Sequence, residues 1–210
     1  WHCWVCDAKG KSVFSLAKKL KASKEIFSEL SQIFKNTGRY SANQKELHKI
    51  VQLPKEFIST SEKTNGIARK QVLRYLRNRK ITHADMMRYN IGYCVDGEYG
   101  GRIIVPSYDS YGNLNYFIAR SFYNSKLKYK NPPAPKDTVI FDLYINWNMP
   151  IILCEGVFDA IAIKRNAIPL LGKTIQDSLL AKLVSNKVPE VILSLDADAR
   201  KMMTKISKKL

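Results

Sequence analysis

The feature that most constrains this chain is the alternation of periods in its last third. Residues 151–154 form a short apolar run. Residues 157–165 carry Phe158, Ile161 and Ala162 at helical spacing. Residues 168–171 form a second apolar run closed by Gly172, residues 178–184 return to a helical pattern, and residues 191–195 form a third apolar run before a Lys-rich stretch that reads as another helix. Strand-length apolar runs separated by helical patterns predict a parallel sheet with both faces covered.

In open α/β sheets, ligand chemistry gathers beyond the carboxyl ends of the strands. Acidic residues stand at those positions here. Glu155 and Gly156 directly follow the first strand, Asp159 lies on the first turn of the helix after it, and Asp196 and Asp198 directly follow the third strand. A lone Asp in such a place caps a helix more often than it ligates. The joint pattern of Glu-Gly-x-x-Asp after one strand and Asp-x-Asp after another is much harder to reach by accident. Carboxylates suit hard ions such as Mg²⁺ or Mn²⁺, and one or two of them with substrate phosphates suffice.

The charge distribution sharpens this reading. The 210 residues carry a formal net charge of +17, with 35 Lys+Arg against 18 Asp+Glu. A surplus of that size favours a polyanionic partner over mere solubility. The segments 1–50, 61–90 and 101–136 are all strongly basic, whereas 137–200 holds six Lys/Arg against eight Asp/Glu. An acidic island in a basic protein would repel a phosphate backbone unless cations lay between, so the island predicts a metal site facing nucleic acid. The polyanion could be nucleic acid or a membrane surface on charge alone; no apolar run approaches the roughly 18 residues of a membrane span, and nucleic acid rather than a membrane is the expected partner.

Upstream, Ser12 can cap a helix bearing Val13, Phe14, Leu16, Ala17 and Leu20. Residues 21–60 read as a Lys-rich connector with weak helical pieces. Thr64 or Asn65 can cap a helix whose inner stripe is Ala68, Val72, Leu73 and Leu76 and whose remaining surface holds Arg69, Lys70, Arg74, Arg77 and Arg79. Thr82 can cap a further short helix. Residues 102–108 and 114–122 read as two strands around the turn Asp109–Asn113. Cys94 and Cys154 sit in apolar runs and are expected to be buried and inert. Cys3-x-x-Cys6 has the spacing of two zinc thiolates from one turn; a redox pair or two incidental thiols would read the same way. Both ends of the chain read as cuts.

At these residues the sequence resembles a known family. Glu155-Gly156-Val157-Phe158-Asp159-Ala160 and Leu195-Asp196-Ala197-Asp198-Ala199 look like the two motifs of the topoisomerase–primase (TOPRIM) domain. Gly101-Arg102-Ile103-Ile104-Val105-Pro106, Tyr108–Gly112, Ala119-Arg120 and Lys128-Tyr129-Lys130-Asn131-Pro132 resemble the polymerase core of bacterial and bacteriophage DNA primases. Residues 66–93 resemble its helical lead-in, and His2–Gly10 the second half of the primase zinc ribbon.

The resemblance implies an α+β / α/β chain: 1–35 half a zinc ribbon with its following helix, 36–62 a linker, 63–145 a basic helical and small β subdomain, and 146–210 an incomplete, Rossmann-like TOPRIM domain with a mostly parallel sheet. It implies template-directed synthesis of RNA primers on single-stranded DNA, from ribonucleoside triphosphates, in a bacterial cytoplasm and possibly phage-encoded, with a replicative helicase as separate or fused partner. Glu155, Asp196 and Asp198 would be catalytic and, with Asp159, hold Mg²⁺ or Mn²⁺. Arg102, Arg120, Lys128 and Tyr129 would lie near nucleotide or template phosphates. Cys3 and Cys6 would supply part of a Zn²⁺ site. Two other readings remain: a TOPRIM metal nuclease or topoisomerase-like enzyme, and a nucleic-acid-binding module without activity.

Overall fold

The computed structural model describes residues 10, 12–36, 51–63, 65–134, 137–172, 174–196 and 199–207. The chain divides into two compact units, 1–47 and 48–210. The first contains two helices, α1 (Val13–Lys19) and α2 (Lys24–Asn36). Ser12 caps α1 by accepting from the Ser15 backbone N–H at 3.1 Å. The Phe14 and Phe27 rings stack across the two helices at 6.4 Å. The 13-residue helix α2 is more regular than the weak pieces expected of a connector.

The second unit opens with β1 (Ile58–Ser59), α3 (Ile67–Asn78), α4 (His83–Arg88), β2 (Gly92–Cys94), β3 (Arg102–Tyr108) and β4 (Leu114–Ser121). The four strands form one antiparallel sheet in the order β1-β2-β3-β4. The β3–β4 hairpin closes over Asp109, whose carboxylate accepts the N–H groups of Tyr111 and Asn113 at 2.9 Å each. The hairpin stands where the Asp109–Asn113 turn was expected, and the structure shows that it is closed by a local Asx turn. The α3 N-cap is Gly66, which offers no side-chain cap, and Asn65 stands one residue too early. α4 begins as expected at Thr82, and the structure adds Asp85 as the second half of a capping box.

Residues 51–60 belong to this unit rather than to a linker. Ile58 pairs with Tyr93, and Val51, Leu53 and Phe57 cover Cys94, Ile104, Phe117 and Ala119. Two-residue and three-residue strands are too short to show a period; β2 pairs with the longer β3, and β1 pairs in turn with β2. Gly92 is the close approach that lets β1 in: a Cβ there would lie 2.2 Å from the Phe57 ring and 2.5 Å from the Ile58 carbonyl oxygen.

A 3-10 turn (Asp142–Tyr144) leads to the remaining elements: β5 (Ile151–Cys154), α5 (Val157–Ile163), β6 (Ala167–Pro169), α6 (Asp177–Ser185), β7 (Val191–Ser194) and α7 (Arg200–Ser207). The three strands are parallel in the order β6-β5-β7. β6 begins and ends earlier than the apolar run suggests, because Leu171 turns out of it with φ +52°. Alternate residues of β5 face two cores. Cys154 joins the one made with Val157, Phe158 and Ile161 of α5, and Ile151 and Leu153 join the one made with Leu179 and Leu183 of α6 and Ile206 of α7. The first of these cores also holds Val72, Leu76, Ile103, Val105, Tyr116 and Ile118. The antiparallel and parallel sheets are therefore parts of one body with a shared core.

Candidate active site

β5 ends at Cys154 and β7 at Ser194, and the two residues are register partners in adjacent strands. Glu155 and Asp196 therefore emerge on the same rim. The Asp196 backbone N–H donates to Glu155 Oε1 at 3.2 Å, and the Glu155 carbonyl accepts from the Leu171 N–H at 3.1 Å. One residue thus ties together the chain leaving all three parallel strands.

Asp159, on the first turn of α5, folds back so that its Oδ2 accepts the Gly156 N–H at 3.1 Å. A Cβ on Gly156 would lie 2.9 Å from that oxygen. Glycine after Glu155 thus lets the carboxylate close on the helix start, which is the physical content of the Glu-Gly-x-x-Asp spacing. Glu155, Asp159 and Asp196 line one depression of about 350 Å³ with Ala162, Ile163, Ser194 and Leu195. Asp159 and Asp196 are exposed and Glu155 half-buried. Asp198, and the cysteines Cys3 and Cys6, lie outside the described residues. Among the described residues no three His, Cys, Asp or Glu side chains gather closely enough to hold an ion on protein ligands alone.

The four groups expected near phosphates do not share a face. In β3–β4 pairing Arg102 sits opposite Ser121 and Arg120 opposite Ile103. The strand period of two sends these pairs to opposite sides of the sheet. Arg102 donates to the carbonyls of Gly100 at 3.0 Å and Leu127 at 3.3 Å, so it braces two loops. Arg120 lies over the Tyr129 ring at 4.6 Å from its centroid, and the two residues form a β-bridge. The Nε of each arginine is buried without a partner. Lys128 is exposed, its carbonyl accepting from the Ser121 N–H at 2.9 Å. Arg120 with Tyr129 is therefore one cation–aromatic unit, and Lys128 stands apart from it.

On α3, Lys70, Arg74 and Arg77 are exposed, as are Arg79 and Lys80 just beyond it. Among the described residues no carboxylate lies within 4.0 Å of any of them. Arg79 lies over both the Tyr75 and Phe158 rings, at 5.1 and 5.0 Å. The result is an unneutralised basic helix face.

Two ion pairs escaped sequence reasoning because their partners are remote in the chain. Lys164, the left-handed C-cap of α5, pairs with Asp85 of α4. Lys182 of α6 pairs with the buried Asp142, which also accepts the Ser110 N–H at 3.2 Å. Only the Thr82-x-x-Asp85 capping box hinted that Asp85 has a structural role. Burial works to raise the Asp85 carboxyl, but its hydrogen bonds with Lys164 and Thr82 outweigh this and hold it below the ordinary 3.8. Burial pushes the Cys94 and Cys154 thiols up to about 12, so both are inert at neutral pH.

The fold is that of bacterial primase catalytic cores. A DNA primase domain from Pseudomonas aeruginosa superposes with a TM-score of 0.58 at 21% identity, covering 68% of this chain and 60% of that one. The Aquifex aeolicus primase, comprising zinc-binding and RNA polymerase domains, gives 0.57 at 18% identity, covering 97% and 62%. The DnaG primase catalytic domain bound to single-stranded DNA gives 0.57 at 17% identity, covering 67% and 59%. The chain spans about three fifths of the length of these structures. No family model and no curated protein sequence matches the chain.

Proposed function

We propose that this chain is part of a DNA primase, a nucleotidyltransferase that copies a single-stranded DNA template into short RNA primers for replication. The observation that carries the reading is the acidic rim at the ends of β5 and β7, set in a primase-core fold that is otherwise basic. The rim offers oxygen donors only and is open to solvent, the donor chemistry a hard divalent ion takes. Glu155 and Asp196, with Asp198 beyond the described residues, are proposed to hold Mg²⁺ or Mn²⁺ together with substrate phosphates. Bound there, such an ion neutralises charge on the attacking and leaving oxygens.

The protein's own groups supply position. The Asp196 N–H holds Glu155 in place, and Asp159 is held by the start of α5. Glu155 is proposed to assist proton transfer as well. The Arg120–Tyr129 unit and Lys128 are proposed to contact nucleotide or template phosphates, and the α3 face to hold the template. Cys3 and Cys6 would form half of a zinc site. Ribonucleoside triphosphates and a replicative helicase, fused or separate, are the proposed partners in a bacterial cytoplasm, phage-encoded or not. Among the described residues no helix is long and apolar enough to cross a membrane.

The test uses the intact protein with single-stranded template, labelled ribonucleotides and Mg²⁺ or Mn²⁺. Short template-dependent RNA products support the reading. Degradation of the template without RNA synthesis would replace it with a metal nuclease. Binding with neither activity would leave a nucleic-acid-binding module.

A further inference from the structure

A pocket of about 200 Å³ opens at the end of α5 remote from Glu155 and Asp159. Its polar lining comes from three elements: Arg88 and Tyr89 at the end of α4, Tyr144 in the 3-10 turn, and Lys164 and Arg165 after α5. The Arg88 guanidinium lies 5.8 Å from the Tyr89 ring centroid and 5.7 Å from that of Tyr144. Two rings thus hold its position without neutralising its charge. Among the described residues no carboxylate lies within 4.0 Å of Arg88 or Arg165; Lys164 alone is paired, with Asp85. Three cations against one carboxylate leave the pocket a surplus of two positive charges. Burial raises the Tyr89 phenol and pushes that of Tyr144 up to about 12, so both stay protonated at neutral pH and can donate.

The ordinary reading of such cations is helix capping, since Arg88 ends α4 and Lys164 caps α5. Capping accounts for one cation per helix end. It does not account for Arg165, nor for the convergence of both ends and two phenols on one cavity.

We propose that this pocket binds a phosphate monoester, the terminal phosphate of a nucleotide. A dianion matches the surplus charge, and guanidinium and phenol donors suit its oxygens. The volume is below the roughly 300–1,000 Å³ of sites that bury a drug-sized ligand, so the phosphate and its sugar enter while the base stays outside. Along α5, Asp159 of the carboxylate rim and Lys164 of this pocket are five residues apart, about 7.5 Å at 1.5 Å per residue, and the two depressions are lined by different residues. It is therefore a second site, and it stands whether or not the rim is a primase centre.

The test is calorimetric titration of the intact protein with AMP, with adenosine as the control, in low salt and with EDTA present so that no metal draws phosphate to the rim. The expected result is saturable binding of AMP, competed by inorganic phosphate, and none of adenosine. Arg165→Gln and Arg88→Gln should each weaken AMP by about tenfold, the loss of one charged hydrogen bond, while Lys55→Gln, at an exposed lysine outside the pocket lining, leaves it unchanged. Arg165 is exposed, so its variant keeps the test valid if Arg88→Gln disturbs the fold. Absence of saturable AMP binding, equal binding of adenosine, or unchanged affinity in Arg165→Gln would overturn the proposal.

Discussion

The backbone N–H of Asp196 donates to the side chain of Glu155 across 3.2 Å, joining residues 41 positions apart at the ends of two parallel strands. The carboxylate pair is therefore a product of the β5–β7 register, held before any ligand arrives. On the proposed reading, Glu155→Gln, Asp196→Asn and Asp198→Ala should each lower primer synthesis by at least about a hundredfold, the scale for removing one preorganised electrostatic group. The dissociation constant for single-stranded DNA should stay within about twofold. Parallel primer-synthesis and fluorescence-anisotropy measurements check both halves, and full synthesis in the Asp196 and Asp198 variants would remove the metal role.

The exposed α3 cations have no carboxylate partners among the described residues, so their charge is available to a backbone of phosphates. Single-stranded DNA affinity should fall with salt, with a slope of about 0.7 in log–log terms per neutralised phosphate. Arg74→Glu with Arg77→Glu should weaken binding and flatten that slope by about one or more. Titrations at several salt concentrations measure it; an unchanged slope would mean that the face only solubilises the protein.

Arg120 and Tyr129 touch, whereas Lys128 stands apart from both, and additivity should follow that division. Lys128→Ala is expected to raise the apparent nucleotide KM or depress turnover. In double-mutant cycles Arg120→Ala and Tyr129→Ala should be coupled by about 0.5–2 kcal/mol, the range of cation–π contacts and their neighbours. Lys128→Ala should add to either within about 0.5 kcal/mol. Steady-state kinetics on the full set of variants decides it, and strong coupling of Lys128 to Arg120 would contradict the geometry.

The Asp85–Lys164 pair should show itself in acid. Asp85 is held below 3.8 when folded, so the folded state binds its proton less readily than the unfolded chain. The resulting stability is present above the unfolded value and is lost as pH falls through the lowered folded pKa. Lys164→Met should therefore cost about 1 kcal/mol near pH 7, a value kept low by the half-exposed lysine. The difference between variant and parent should shrink as both are melted at progressively lower pH. A constant difference across the titration would mean that the lysine acts through packing alone.

Gly92→Ala should destabilise the protein by about 1–3 kcal/mol, as overpacking does, because its Cβ would meet both the Phe57 ring and the Ile58 carbonyl. Gly112→Ala offers a contrast: nothing lies within 4 Å there, and only its φ of +85° is strained. Adding Phe57→Ala to Gly92→Ala should not restore stability, since the backbone clash remains. Denaturant unfolding of the three variants tests the ordering.

The local order of this molecule was legible in the chain. Apolar period, cap residues and turn chemistry act over a few residues, so the β3–β4 hairpin, the α1 and α4 caps, the burial of Cys94 and Cys154, and the parallel β5-α5-β6-α6-β7 run could be read directly. The acidic rim was legible too, because the strand ends are local and a parallel sheet brings them to one side. What only the tertiary structure decided depends on partners far apart in sequence. β1 and β2 are too short to carry a period: β2 forms on the edge that β3 offers, and β1 forms in turn on β2. Arg102 and Arg120 part because cross-strand register, invisible in either strand alone, assigns each a face. Lys164 meets Asp85 across 79 positions, and Arg88, Tyr144 and Arg165 converge on one cavity, because two helices and a turn end together in space. Nothing within a few residues of any of these could encode that meeting.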